Sequence, residues 1–213
     1  STTMVTYLEA ELAPVKNTGQ IRLYGEEGFE GMRKACRVTA MALDELVGMV
    51  RPGVTTNEID KFVFEFGMDH GAIPATLNYR GYTHSCCTSI NHVVCHGIPS
   101  DTKKLKNGDI VNIDVSGSYG EYFADTGISF VVGEGHEAKE KLCQAAESAF
   151  ERAMMKVKAG AKLNQIGKAV EREAKDQGLF VDFICAISPS KHEEKIRNAF
   201  ASISHLLTRY FGG

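Results

Sequence analysis

Asp109-Ile110-Val111-Asn112-Ile113-Asp114-Val115-Ser116-Gly117-Ser118-Tyr119-Gly120-Glu121-Tyr122-Phe123-Ala124-Asp125-Thr126 is the stretch whose reading decides the fold. Its two ends read as strands, and Ser116-Gly117-Ser118-Tyr119-Gly120 between them is a cluster of turn residues. The segment is therefore predicted to be a β-hairpin or a near relative of one. Asp114 and Asp125 fall on opposite arms. Two carboxylates brought together on paired strands repel, and burying either one uncompensated is unfavourable. A divalent cation relieves both problems, and oxygen donors joined by histidine suit zinc, manganese, cobalt or iron. Two solvated hairpin aspartates are the plain alternative, and the surrounding sequence decides between them.

Working outward, the 213 residues suffice for one large domain or two halves sharing a core. A hydrophobic content of 43% with 24% charged residues is that of a soluble globular protein. The net charge of −3 gives no electrostatic reason to expect nucleic acid or anionic lipid as a partner. No apolar run approaches the roughly 18 residues of a membrane span, and Ser1-Thr2-Thr3-Met4 does not open a signal peptide. Met4 reads as a native start behind a short remnant. The six cysteines, Cys36, Cys86, Cys87, Cys95, Cys143 and Cys185, contain no C-x-x-C spacing. Reduced thiols in a cytoplasmic protein are the simplest reading.

The chain also repeats itself. Val50 to Val63 recurs 107 positions later as Val157 to Val170, with Val, Gly, Asn, Ile, Lys and Val coinciding. Cys36 falls on Cys143, Ala42 on Ala149 and Gly71 on Gly178 in the same register. Two copies of one unit, related by an approximate two-fold axis, are expected. Each copy reads as a helix (Gly31 to Met49; Glu137 to Lys156), a glycine break, and a second helix (Thr56 to Met68; Leu163 to Gln177). Thr55 or Thr56 caps the second helix in copy one, and Asn164 caps or begins it in copy two. Strands follow in copy one around Asn78–Tyr82, Cys87–Cys95, Asp109–Ser116 and Tyr122–Val132. Outer helices around a curved antiparallel sheet make an α+β fold.

Thr76-Leu77-Asn78-Tyr79-Arg80-Gly81-Tyr82, the run from Cys87 through His96-Gly97-Ile98-Pro99, and Asn107 to Val115 together resemble the type I methionine aminopeptidases. The resemblance covers roughly Leu23 to Phe183. It implies the pita-bread fold, with a first half over 31–132 behind an N-terminal extension (1–30), a partial second half over 137–184 and a divergent tail over 185–213. It also implies two divalent metal ions per site (Co, Mn, Fe or Zn), with Asp114 a bidentate ligand of one and Asp125 bridging both. His96 would hydrogen-bond the scissile amide, and Tyr79, Tyr82 and Cys87 would line the pocket for the methionine side chain. The implied substrates are nascent peptides with N-terminal methionine, and Lys103-Lys104-Leu105-Lys106, read as a solvated loop, leaves a ribosome-facing role open.

In that family a histidine and two glutamates from the second half complete the metal site. Here the positions 107 beyond Asp114 and Asp125 are 221 and 232, past Gly213. Cys185 and His192-Glu193-Glu194 echo family elements, but the ligand histidine with its flanking glycine is absent, and residues 195–210 read as an amphipathic helix without a family counterpart. The second half is thus expected to be incomplete, the activity of these 213 residues low, and an uncovered sheet edge to favour self-association. The alternative is an inactive pita-bread protein that serves as a binding module or has no function. His92 receives no role. His84 with Cys86-Cys87 is read as structural, His70, His136 and His205 as surface or helix-end residues, and His192 with Glu193 as poor substitutes for the missing ligands.

Overall fold

The computed structural model describes residues 6–9 and 20–179. Two short parallel strands, β1 (Thr6–Glu9) and β2 (Gln20–Leu23), precede two helices, α1 (Glu26–Met49) and α2 (Thr56–Asp69). The strands β3 (Ile73–Pro74), β4 (Cys86–Ile90), β5 (Ile110–Tyr119) and β6 (Tyr122–Val131) come next, then α3 (Glu137–Met154) and α4 (Asn164–Asp176). Helices outside an antiparallel sheet give the expected α+β layout. Among the described residues no helix is long and apolar enough to cross a membrane.

β5 is the spine of the sheet. β6 pairs along its whole length on one side, while β3 and β4 share the other edge, with Pro74 opposite Gly117 and Cys87 opposite Asp114. Odd-numbered residues of β5 point to the helices: Val111, Ile113 and Val115 are buried with Leu43 and Leu46 of α1 and Ile59 and Val63 of α2. Asn112, Asp114, Ser116 and Ser118 take the other face. This period-two alternation makes one side of the sheet a core and leaves the other for chemistry.

The turn lies later than the cluster of turn residues suggests. Ser116 to Tyr119 continue β5, and Gly120-Glu121 form a two-residue turn closed by the Tyr119–Tyr122 pair, with Gly120 at φ 60. Gly117 lets β5 run close to α1: a Cβ there would lie 3.1 Å from Thr39 Oγ1, a tight contact. Asn78–Tyr82 is not a strand. Asn78 (φ 66) and Arg80 (φ 50) adopt left-handed backbone, which curls the segment into a 3-10 turn over Tyr79–Gly81. The strand expected over Cys87–Cys95 stops at Ile90, where Asn91 turns the chain with φ 52. The first helix begins at Glu26, five residues before Gly31, its opening turn carrying Glu26 and Glu27. Of the lysine-rich loop, Leu105 is buried and exchanges backbone hydrogen bonds with Gly53 and Val54, so only the lysines around it are solvated.

The duplicated sequence folds into duplicated local structure. Gly53 and Gly160 have φ of 94° and 79°, and Gly71 and Gly178 have 74° and 69°. Backbone bonds recur at the same offset: Val54 N–H to Arg51 and Ala161 N–H to Lys158, His70 to Phe66 and Gln177 to Glu173, Ala72 to Gly67 and Leu179 to Ala174. Thr55 and Glu58 form a reciprocal capping box at α2, whereas Asn164 is the first residue of α4 and Leu163 takes the cap position without a side-chain bond. The cores differ. Buried Phe66 of α2 corresponds to Glu173 of α4, which is 1% exposed and pairs with Arg152 Nε at 2.7 Å. Cys185, His192, Glu193, Glu194 and the helix read over 195–210 lie outside the described residues.

Candidate active site

Asp114 and Asp125 face the same side of the hairpin. Asp114 sits opposite Gly127 and Asp125 opposite Ser116, so the two carboxylates are diagonal neighbours on adjacent strands. The missing side chain at Gly127 keeps the space beside Asp114 open; a Cβ there would lie 3.6 Å from Asp114 Oδ1. Ser116 donates from Oγ to Asp125 Oδ1 at 2.8 Å, fixing that carboxylate. One pair further along, Asn112 donates from Nδ2 to Ser129 Oγ at 2.9 Å. Burial and then the neighbouring Asp125 carboxyl, to which it is hydrogen-bonded, hold Asp114 well above the ordinary carboxylate range. A carboxyl raised in this way beside a second one is short of positive charge.

β4 supplies the next wall. Cys87 is the direct cross-strand partner of Asp114 and is buried. Its thiol is pushed up to about 11, mainly by burial, with Asp114 and Asp125 adding to the shift and a hydrogen bond to Tyr82 opposing it. That bond runs from Cys87 Sγ to Tyr82 Oη at 3.4 Å, and Tyr82 Oη donates in turn to the Cys86 carbonyl at 2.8 Å. Burial raises the Tyr82 phenol as well, which keeps it a neutral donor. Tyr82, Cys87, Asp114 and Asp125 are therefore brought together on one surface.

His96 arrives from a corner. The Thr88 N–H donates to the Gly97 carbonyl at 2.8 Å, and the Gly97 N–H donates to Ser89 Oγ at 3.1 Å. These bonds lay His96-Gly97 along the edge of β4 that faces away from β5. Gly97 is required because a Cβ would come within 2.0 Å of the Thr88 carbonyl oxygen. His96 has φ 53 and stays exposed, an uncommon backbone for a non-glycine residue. Tyr79 lies 57% exposed on the 3-10 turn, with the Arg80 guanidinium 5.3 Å from its ring centre. Tyr79 meets Tyr82 through the backbone, its carbonyl accepting from the Tyr82 N–H at 3.0 Å.

The acid pair fits a divalent cation by the chemistry of its donors: hard oxygens, like charge, and one carboxyl already driven toward its neutral form. Among the described residues no group of three or more His, Cys, Asp or Glu is arranged to hold a metal. Ser116 and Gly127 do not stand out when the sequence is read alone. The polar alternation of Asn112, Asp114, Ser116 and Ser118 was the available signal for Ser116.

The sequence profile of metallopeptidase family M24 matches residues 30–203. A methionine aminopeptidase of Bacillus subtilis, methionine aminopeptidase 2, is 44% identical over 156 residues, which cover 73% of this chain and 63% of that protein. The crystal structure of methionine aminopeptidase from Rickettsia prowazekii superposes with a TM-score of 0.71 at 43% identity, covering 74% of this chain and 63% of that one. A prolidase from Pyrococcus horikoshii shares the fold at a TM-score of 0.63 and 20% identity, over 72% of this chain and 43% of its own. The chain thus spans under two thirds of the length of these relatives. With the profile matching residues 30–203, the chain belongs to metallopeptidase family M24 and resembles its methionine aminopeptidases.

Proposed function

We propose that this chain carries the first-half portion of a methionine aminopeptidase site. In this reading Asp114 and Asp125 are metal ligands, His96 hydrogen-bonds the scissile amide, and Tyr79, Tyr82 and Cys87 line the recess for the methionine side chain. The observation that carries the reading is the acid pair on one face of the β5–β6 hairpin, with Cys87 directly across from Asp114. A bound divalent cation would supply an activated water and polarise the carbonyl. The chain's own residues do the rest. Ser116 orients Asp125, Gly127 leaves room beside Asp114, and Tyr82 holds the Cys87 thiol against the wall of an apolar recess suited to a thioether.

The proposed substrates are peptides with N-terminal methionine, and the proposed setting is the cytoplasm, consistent with reduced thiols at Cys86, Cys87 and Cys143. Manganese, cobalt, iron and zinc all suit the donors, and a second ion needs donors besides Asp114 and Asp125. That the described residues bring together two metal-type donors favours, as a second reading, a binding module that takes up such peptides without cleaving them.

A chimera separates the two. Residues 1–179 joined to the C-terminal segment of the Rickettsia prowazekii enzyme should release methionine from a Met-Ala peptide with added cobalt or manganese. Asp125→Ala should abolish that release, while the 213-residue chain alone should stay at background. A folded, metal-loaded chimera that releases no methionine would overturn the aminopeptidase reading and leave the binding module.

A further inference from the structure

Asp60 lies in the second turn of α2, outside the acid pair and its wall, yet one of its oxygens takes three polar contacts at the start of β4. Its Oδ1 accepts from the Ser85 N–H at 2.7 Å, from the Cys86 N–H at 3.0 Å and from Cys86 Sγ at 3.5 Å. These donors open β4 (Cys86–Ile90). Backbone N–H groups at the start of an edge strand need a partner, and an ionised carboxylate is a stronger acceptor than a carbonyl. The next residue along, Cys87, is the one paired with Asp114. The Cys86 carbonyl, on the same residue that Asp60 grips, accepts the Tyr82 hydroxyl. One carboxylate oxygen therefore sets the height and register of the strand that carries the recess wall.

The internal duplication supports a role tied to the site. α2 and α4 repeat backbone bonds, glycine conformations and apolar positions at an offset of 107, yet the position equivalent to Asp60 is Gly167, which has no side chain. If the carboxylate served the helix pair alone, both copies would have use for it. It is found in the copy whose helix packs on β4.

We propose that Asp60 is a positioning residue that fixes the start of β4 and so holds Cys87 and Tyr82 against Asp114. The proposal rests on the reading of Tyr82 and Cys87 as the recess wall, but its test requires no turnover. Cys87 is buried, so alkylation by iodoacetamide reports opening of that wall, and mass spectrometry assigns the label to each cysteine. Asp60→Leu should raise the Cys87 alkylation rate by about tenfold or more, because the strand loses a charge-assisted acceptor for two backbone donors. Cys36 and Cys143, on α1 and α3, should label at the wild-type rate. Asp60→Asn, which keeps an oxygen in place, should restore Cys87 to within about threefold of wild type.

Equal acceleration at Cys36, Cys143 and Cys87 would show general loosening and overturn the proposal. So would an unchanged Cys87 rate in Asp60→Leu, or an Asp60→Asn variant as fast as the leucine. If Asp60→Leu does not fold, hydrogen exchange at Ser85 and Cys86 in Asp60→Ala, which also removes the acceptor, against wild type decides. Faster exchange confined to those amides supports the proposal, and unchanged exchange overturns it. A chimera without peptidase activity would leave these results standing, so the two failures are distinguishable.

Discussion

Asp114 on β5 and Asp125 on β6 stand diagonally on one face of the hairpin, and only Asp125 receives a serine hydroxyl, from Ser116. Their inequality has a thermodynamic consequence. The folded chain holds the Asp114 proton to higher pH than the unfolded chain does, through burial and the charge of Asp125. The penalty is absent below the ordinary carboxylate range, grows as pH rises beyond it, and is complete above the folded-state value. In EDTA, wild type should lose stability relative to Asp114→Asn as pH rises above the ordinary carboxylate range, read as a Tm difference that widens with pH. Parallel Tm profiles above that range would contradict the prediction.

The duplicated glycines offer a test of the repeat. Gly53 and Gly160 both take left-handed backbone, and an added Cβ at either meets nothing within 4 Å. Substitution by alanine is therefore opposed by backbone conformation alone, at about 1 kcal/mol. Urea unfolding of Gly53→Ala and Gly160→Ala should give losses equal to within about 0.5 kcal/mol. A loss at only one position would show that the matched torsions do not reflect matched energetics.

Where the copies differ, the difference should be measurable. Glu173 replaces Phe66 in the buried row of the second helix and depends on Arg152, which is itself half exposed. Removing the partner with Arg152→Met strands a buried carboxylate and should cost about 2–3 kcal/mol, less than for a fully enclosed pair. The double variant Arg152→Met, Glu173→Leu should recover most of that loss in the same urea experiment. A double variant no more stable than the single one would mean that Glu173 contributes through other contacts, such as its Oε1 bond from Gln177 at 2.9 Å.

The His96 corner carries a steric prediction. A Cβ at Gly97 would come within 2.0 Å of the Thr88 carbonyl oxygen, a backbone atom that cannot move aside. Gly97→Ala should therefore break the paired Thr88–Gly97 contact and destabilise the chain by about 2 kcal/mol or more, with amide exchange accelerated first at Thr88. Wild-type exchange at Thr88 in a stable Gly97→Ala protein would contradict this placement.

Much of the fold was legible because its signals are periodic. The offset of 107 and the helical spacing of apolar residues gave both helix pairs, and the turn residues between two strand-like runs gave the hairpin that carries Asp114 and Asp125. Thr55 or Thr56 as a cap marked where α2 begins, and the structure adds Glu58 to complete a capping box at Thr55. The misread segments are those whose conformation is set by tertiary contact. Ser116 to Tyr119 look like a turn but are held extended by β6, and Asn78 to Tyr82 look extended but are curled by left-handed backbone at Asn78 and Arg80. Asp60 was invisible because its partners, the backbone donors of Ser85 and Cys86, lie 25 and 26 residues away and leave no trace in side-chain pattern.

Manganese titration of the metal-free chain, followed by electron paramagnetic resonance, tests the central claim most directly. If Asp114 and Asp125 are ligands, the ion should bind with a stoichiometry of one to this pair and more tightly as pH rises, because the Asp114 proton must leave. Asp114→Asn and Asp125→Asn should each weaken binding by more than about tenfold. Manganese binding unaffected by both substitutions, or none detectable in wild type at alkaline pH, would contradict the assignment of this acid pair as a metal site.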